Sequence, residues 1–315
     1  MLKKSEKKGA SAALPQAVNY HVNTNCNFGC KFCFATFEDS KALMGACMLK
    51  PLERVALVDR LVAAGVSKIT FVGGEPTLIP NLPELLKRTK AAGVTTMLVT
   101  NGVLFRGALF ERLVPHLDWV AFSVDSADEG INQASGRAGK RNGQVLPVDE
   151  LLRRAELARQ RGVRIKLNTV VHRLNWEEDM SDFVAALKPE RWKIFQVLPV
   201  EGQNSGSVEE LLIDRPRFDA YLERHRGLEA KGVKVVPESN EAMRGSYAMV
   251  EPAGRFFDNT SGGYRYSRPI LEVGVEAAFE EVTFSAEKFE ERGGIYDWSE
   301  SEEVRGPGED EAAGD

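Results

Sequence analysis

The sequence predicts an α/β fold: a partial (β/α)6 TIM-like barrel, open on one side, with an irregular C-terminal extension. Three observations predict it. Six short strand-like segments alternate with five segments of helical periodicity, which implies parallel strands joined by right-handed crossovers. No linker interrupts the run from residue 17 to residue 236. The residues best suited to bind ligands fall at strand ends, where a β/α barrel builds its site.

Ala17–Val22 reads as the first strand, entering a cysteine-rich loop. Pro51–Ala64 follows as a helix, with Pro at its start and Gly65 after its end. Lys68–Val72 is a short β-branched strand that stops at Gly73-Gly74. A helix over Leu82–Ala92 is closed by Gly93. Then come strand Thr95–Val99, helix Gly107–Val114, strand Trp119–Val124, helix Val148–Arg161, strand Arg164–Val171, helix Glu177–Leu187 and strand Trp192–Leu198. A sixth helix, Arg217–Ala230, and a short strand, Val233–Val236, complete the barrel segment. Residues 237–298, rich in Gly and aromatics, are expected to pack over the open side or mouth. The Lys-rich residues 1–16 and the acidic residues 299–315 offer little to bury and are expected to be disordered.

The chain's 315 residues allow about two domains or one large barrel. Hydrophobic residues at 43% and charged residues at 28% exclude collagen-like, wholly disordered and disulfide-scaffold classes. A net charge of −5 gives no basic excess for nucleic acid. No apolar run is long enough to cross a bilayer, and the N-terminus lacks the apolar stretch of a signal peptide. A cytoplasmic protein without a stable membrane anchor is therefore expected. In that reducing compartment thiols read as metal ligands or catalytic groups.

Three of the four cysteines stand in Cys26-x3-Cys30-x2-Cys33. A four-iron cluster has four metal corners, so three thiolates leave one iron open to a ligand. A closed zinc site wants a fourth protein ligand, for which His21 and Cys47 are candidates, and zinc stays open as an alternative. Three inert buried thiols are a second.

This spacing is the signature of the radical S-adenosylmethionine (radical SAM) superfamily, which the chain resembles. The resemblance implies a four-iron–four-sulfur (4Fe–4S) cluster on Cys26, Cys30 and Cys33. It implies that the open iron chelates the methionine moiety of S-adenosylmethionine, whose reductive cleavage yields a 5′-deoxyadenosyl radical. Phe32 matches the aromatic that lies against the adenine. Gly73-Gly74-Glu75-Pro76 resembles the motif that grips the methionine amino group; glycines allow close backbone approach, and a carboxylate or carbonyl accepts from an ammonium. Thr100-Asn101 ends the third strand in the same cofactor region. Ser123 and Arg137 are assigned by resemblance to the methionine carboxylate and ribose, an Arg being suited to a bidentate contact. Read without the family, Arg137 is as easily a surface cation.

The fifth and sixth strands carry a separate signal. Residues two apart share a strand face, so Lys166 joins Asn168, and Arg191 joins Lys193, opposite Ile165/Leu167 and Trp192/Ile194. The outer face of a β/α barrel meets helices and is apolar, so these polar faces look inward. Buried cations are costly unless paired. No matching acids are visible on the same strands, which points to an anion from outside, best a polyphosphate. The bland alternative places Arg191 in a loop and lets Lys166 snorkel to the rim.

Here the match narrows to the viperin family of radical SAM enzymes, over about residues 17–298. It rests on Val18-Asn19-Tyr20-His21, Cys26 to Phe34, Gly73 to Pro76, the Gly-Arg-x-Gly-Lys run at 136–140, Lys166-x-Asn168, Arg191-Trp192-Lys193, Pro237-Glu238-Ser239-Asn240 and Arg292-Gly293-Gly294. The resemblance implies a 3′-deoxy-3′,4′-didehydronucleotide synthase acting on a ribonucleoside triphosphate, by 4′-hydrogen abstraction and loss of the 3′-hydroxyl as water. Its product terminates viral RNA chains. By position, Lys166, Asn168, Arg191, Lys193 and Arg292 would hold the triphosphate, and Asn19 would lie near the nucleoside. The partners implied are a one-electron donor of flavodoxin, ferredoxin or reductase type and the iron–sulfur assembly machinery.

Three departures from vertebrate viperin set further expectations. The membrane-tethering N-terminal helix and the C-terminal Trp that engages cluster delivery are missing, which favours a cytosolic enzyme and puts that loading route in doubt. Ala253 replaces a Tyr that borders the nucleotide, so a pyrimidine is expected, UTP ahead of CTP. The competing functions are a radical SAM enzyme modifying a peptide or RNA, and a non-catalytic zinc or iron–sulfur module.

Overall fold

In a strand covered on both faces, one face must suit the helices and the other whatever fills the barrel. The fourth strand shows the division. Val120 and Phe122 join the main core against the helices, while Trp119 and Ala121 form a separate inner cluster with Met97. The fifth strand repeats it with polar residues: Ile165 and Leu167 pack outward, Lys166 and Asn168 inward.

The computed structural model describes residues 14–40 and 48–298. Cys47, residues 1–13 and residues 299–315 lie outside them. The barrel strands are β1 (Ala17–His21), β2 (Lys68–Val72), β3 (Thr95–Thr100), β4 (Trp119–Ser123), β5 (Arg164–Val171), β6 (Arg191–Gln196) and β7 (Lys234–Glu238). They are joined by α1 (Pro51–Ala63), α2 (Leu82–Ala91), α3 (Gly107–Leu113), α4 (Glu129–Ala134), α5 (Val148–Gln160), α6 (Ser181–Leu187) and α7 (Arg215–Arg224). Every neighbouring pair from β1 to β7 is parallel. Then α8 (Asn240–Met243), β8 (Ala248–Val250), β9 (Arg255–Asp258) and β10 (Arg265–Pro269) lead to α9 (Ile270–Val273), α10 (Val275–Phe279) and α11 (Ala286–Glu291).

The sheet order is β10-β9-β8-β1-β2-β3-β4-β5-β6-β7, so the sheet does not close on itself. This is the expected partial barrel. β8 pairs parallel with β1, β9 pairs antiparallel with β8, and β10 pairs antiparallel with β9. The segment after residue 236 thus contributes three strands on the β1 side. β7 itself runs to Glu238, and at the other end the Gln16 carbonyl accepts from the Ser67 and Lys68 amides.

Local chemistry explains where element ends differ from expectation. The helix expected over Glu177–Leu187, α6, starts at Ser181, because Glu178 turns away to accept from the Ala127 amide and Asp179 accepts from the Ser181 amide. The next helix starts earlier, at Arg215, where Asp214 accepts from the Arg217 amide and Pro216 suits a first turn. It ends at Arg224 and continues as a 3₁₀ stretch, Arg226–Lys231, that contains Gly227. The short α4 had too little apolar periodicity to be read; its Asp128 cap accepts from the Ile131 amide.

Candidate active site

The barrel encloses one chamber of about 300 Å³. Its upper end is the cysteine loop, which follows β1. Two glycine-containing turns clamp this loop. From the β2 side, the Gly74 and Glu75 amides donate to the carbonyls of Asn23 and Asn25 at 2.9 and 2.7 Å. A Cβ on Gly74 would collide with the Asn25 carbonyl, and one on Gly73 would come 2.7 Å from that of Asn23. These glycines therefore serve close approach to the cysteine loop itself. From the far side, Gly29 donates to the Gly136 and Ala138 carbonyls, Lys31 to Ser135, and Lys140 to Asn27.

Glu75 is fully enclosed, and its carboxylate is used within the protein. One oxygen accepts from the Thr77 amide (3.1 Å), Thr77 Oγ1 (2.6 Å) and Thr100 Oγ1 (2.7 Å). The other accepts from the Asn101 amide at 2.8 Å. It ties the turn after β2 to the end of β3, so in this structure it is a brace and not a free acceptor. Burial raises its pKa against these bonds. Arg137 is not a surface cation. Its guanidinium pairs with Asp125 beyond β4, donates to the Ser123 carbonyl at 3.0 Å and stands over the Phe32 ring.

The thiols fit a cluster. Cys26, Cys30 and Cys33 all line the chamber, and Cys26 Sγ accepts from the Phe28 amide at 3.3 Å. Burial pushes all three up, Cys30 to about 12, with Arg137 pulling Cys30 and Cys33 back toward the thiolate. Thiols this buried ionise when a metal supplies positive charge. Among the described residues no three His, Cys, Asp or Glu side chains converge on a single ion. An iron–sulfur cluster instead takes its thiolates on separate irons. His21, one candidate fourth ligand, packs edge-on against Phe37 and Phe257, and burial drives it down to about 3.

The lower end is cationic. Lys68 opens β2, Lys166 lies on β5, Lys193 on β6, and Arg292 follows α11; all four line the chamber. Strand register sets Lys166 beside Arg191 and Asn168 beside Lys193. The floor is aromatic: Lys68 Nζ lies 4.4 Å from the Tyr296 ring centroid and 4.3 Å from that of Trp298. Trp119 Nε1 holds this floor by donating to the Trp298 carbonyl. Burial and mutual repulsion push Lys68 and Lys166 well below the ordinary lysine range; burial holds Lys193 down to about 7 despite a carboxylate partner.

Every residue assigned from sequence to the cluster, S-adenosylmethionine or the nucleoside triphosphate, Asn19 included, lines this chamber except Arg191. Arg191 begins β6, not a loop, but stands behind the wall, its guanidinium 3.9 Å from the Tyr296 ring and donating to the Gly293 carbonyl. It shapes the floor rather than touching the cavity. Sequence reasoning missed Lys68, although Lys68 and Thr70 alternate with Ile69 and Phe71 as on β5. It also missed an acid: Glu238 on β7 pairs with Lys193 and Arg292, so the cations are not without a carboxylate.

A family model described as "Radical SAM superfamily" matches residues 20–184. The chain is 43% identical over 284 residues to a protein of Flammeovirga pacifica named S-adenosylmethionine-dependent nucleotide dehydratase, covering 90% of this chain and 96% of that one. The chain belongs to the radical SAM nucleotide dehydratase family. A Lacinutrix mariniflava relative of the same name is 41% identical over 93% of this chain, which spans 61% of that protein's length. The RSAD2 protein of Danio rerio, named likewise, is 37% identical over 95% of this chain and 83% of its own. Among solved structures, native anSMEcpe with bound AdoMet and Kp18Cys peptide superposes with a TM-score of 0.65 at 15% identity, over 88% of this chain and 82% of that one. That likeness is one of fold. Radical SAM enzymes carry a 4Fe–4S cluster and use S-adenosylmethionine, as the thiol set here allows.

Two outcomes follow from this geometry. Gly74→Ala should displace the cysteine loop and lower the iron bound per protein after reconstitution, with far-UV circular dichroism unchanged. In nucleotide-free protein, Lys193 titrates near 7 when folded and near 10.5 when unfolded. Between those values the unfolded chain binds more protons, so stability should rise with pH from about 7 to 8.5, Lys193 contributing at most ~1.4 kcal/mol per unit and Lys68 and Lys166 acting in the same direction. Chemical unfolding across that range checks the sign.

Proposed function

We propose that this protein is an S-adenosylmethionine-dependent nucleotide dehydratase that converts a ribonucleoside triphosphate to its 3′-deoxy-3′,4′-didehydro analogue. One observation carries the reading: a single chamber has three thiols at one end and a buried lysine–arginine set at the other. When bound, the cluster and S-adenosylmethionine would supply the 5′-deoxyadenosyl radical that takes the 4′ hydrogen; the 3′-hydroxyl would leave as water with a proton, and one electron from the external donor would complete the product.

The chain's own residues bind and orient. Cys26, Cys30 and Cys33 hold the cluster. Phe32, Gly73, Gly74, Glu75, Thr100, Asn101, Ser123 and Arg137 frame S-adenosylmethionine, with Glu75 acting through the turn it braces. Asn19, on β1 between β2 and β8, faces the nucleoside. Lys68, Lys166, Asn168, Lys193 and Arg292 take the triphosphate, and Arg191 positions the floor beneath it. Lys68 opens β2 and Gly73-Gly74 follows its end, so the length of that strand separates the phosphate end from the sulfur end.

The nucleotide we propose is a pyrimidine, UTP ahead of CTP. Ala253, on which that order rests, stands in the turn between β8 and β9 and does not line the chamber, so competition among all four nucleotides decides it. A one-electron donor of flavodoxin or ferredoxin type, iron–sulfur assembly proteins and a cytoplasmic setting belong to the same proposal. No helix among the described residues is long and apolar enough to cross a membrane.

Reduced, reconstituted protein given S-adenosylmethionine and mixed nucleotides should yield a triphosphate lighter by one water, detected by mass spectrometry. Cys30→Ala should abolish 5′-deoxyadenosine formation; full activity in that variant would refute the cluster assignment. Lys166→Ala should weaken triphosphate binding at least ~10-fold, the scale of a charged hydrogen bond, with the cluster's visible absorption intact. Unchanged affinity would remove the polyphosphate reading.

A further inference from the structure

The acid at the chamber's base has a peculiar position. Glu238 is fully buried yet does not line the cavity. Its two oxygens reach three residues that do. One oxygen pairs with Lys193 Nζ and accepts from Arg292 Nη1 at 3.4 Å; the other accepts from the Tyr247 hydroxyl. Lys193 also donates to Tyr247 Oη at 3.0 Å, and the Arg292 guanidinium lies 3.6 Å from the Tyr247 ring centroid. Arg292 is pinned from behind by two bonds to the Ser246 carbonyl. Lys68 and Lys166, by contrast, have no carboxylate within ion-pair distance among the described residues. Glu238 thus organises one half of the cation set, while Lys68 rests on the aromatic floor and donates to the Tyr296 hydroxyl at 3.2 Å.

On the reading that this base takes a polyphosphate, we propose that Glu238 is a positioning residue of the anion site. Its carboxylate aims the Lys193 ammonium, the Arg292 guanidinium and the Tyr247 hydroxyl at the chamber. It also holds a larger share of Lys193 protonated at neutral pH while no anion is bound.

The charges around Lys193 give the reason. Arg191 shares its strand, Lys166 faces it from β5, Lys68 from β2 and Arg292 from beyond α11. Arg292 and Arg191 oppose a proton on Lys193, as does burial, while Lys193 in turn opposes protons on Lys166 and Lys68. Tyr247 is neutral. Glu238 is the adjacent group of opposite sign among the described residues. Even so, Lys193 titrates near 7. A neutral residue at 238 leaves Lys193 an amine at neutral pH, able to hold phosphate only after taking a proton from solution. The net charge of the Lys193–Glu238 unit is the same either way. What changes is whether the ammonium is already in place.

The test titrates UTP and CTP calorimetrically into holoenzyme with cluster and S-adenosylmethionine but no reductant. Titrations run at about pH 6, 7.5 and 8.5, in two buffers of different protonation enthalpy. Glu238→Gln should bind ~10-fold more weakly than wild type at pH 7.5, take up more protons on binding than wild type (by about 0.2 at pH 7.5 and about 0.4 at pH 6), and regain affinity at pH 6. Glu238→Asp keeps the charge but draws it back, and should shift both quantities part-way in the same direction. That keeps the proposal open to refutation should Glu238→Gln fail to fold. A pH profile parallel to wild type with an unchanged proton count, in either variant, overturns it, because a merely structural loss weakens binding equally at every pH. Wild-type protein that bound neither triphosphate would overturn the polyphosphate reading instead, and Glu238's role with it.

Discussion

The alternation of side chains along parallel strands is the constraint on which the site depends. Helices cover one face of the barrel strands, so that face is mostly apolar, and the lysines of β2, β5 and β6 are directed to the other. Two lysines at positions 166 and 193, on adjacent strands, are thereby committed to the interior before any ligand is considered. The cost of holding them there is visible in their lowered proton affinity. Nothing on the outer face offers them an alternative, because Ile165, Leu167, Trp192 and Ile194 occupy it. A third lysine joins them from β2, which brings charge from distant parts of the chain to one small volume.

At the opposite end the requirement is reversed. Thiols need a fixed geometry and little else, and the fold supplies it by backbone. The cysteine loop hangs between two turns whose glycines let main chain meet main chain. The buried Glu75 carboxylate joins the turn after β2 to the end of β3. Few of these bonds involve side chains that a cofactor needs. The frame is therefore built independently of what it holds.

Much of this was legible in the sequence. Strand order, the open barrel and the inward direction of Lys166, Asn168 and Lys193 follow from period-two patterning and β/α alternation. The cysteine spacing and the GGEP turn named the sulfur end. Other features were not legible. Glu238 stood on a short strand that reads as part of the irregular extension, so its pairing across β6 and β7 could not be seen. Lys68 carried the same alternation as Lys166, but a lone lysine opening a strand also reads as a solvated end. The brace role of Glu75 depends on Thr77 and Thr100 turning toward it, which no spacing encodes. Arg191 was placed on the correct face, but its exact depth depends on the aromatic segment beneath it.

That aromatic segment bears on what counts as the barrel. Tyr296 and Trp298 come from the last described residues of the chain, yet their rings lie directly under Lys68, and Tyr296 also under Arg191. A ring face attracts a cation without carrying a formal charge. It can therefore seal the bottom against water without neutralising the field above it, which a carboxylate would have done. The segment that carries Tyr296 and Trp298 is in this sense a stopper. A chain cut before Tyr296 would have every strand in place and a vessel that leaks.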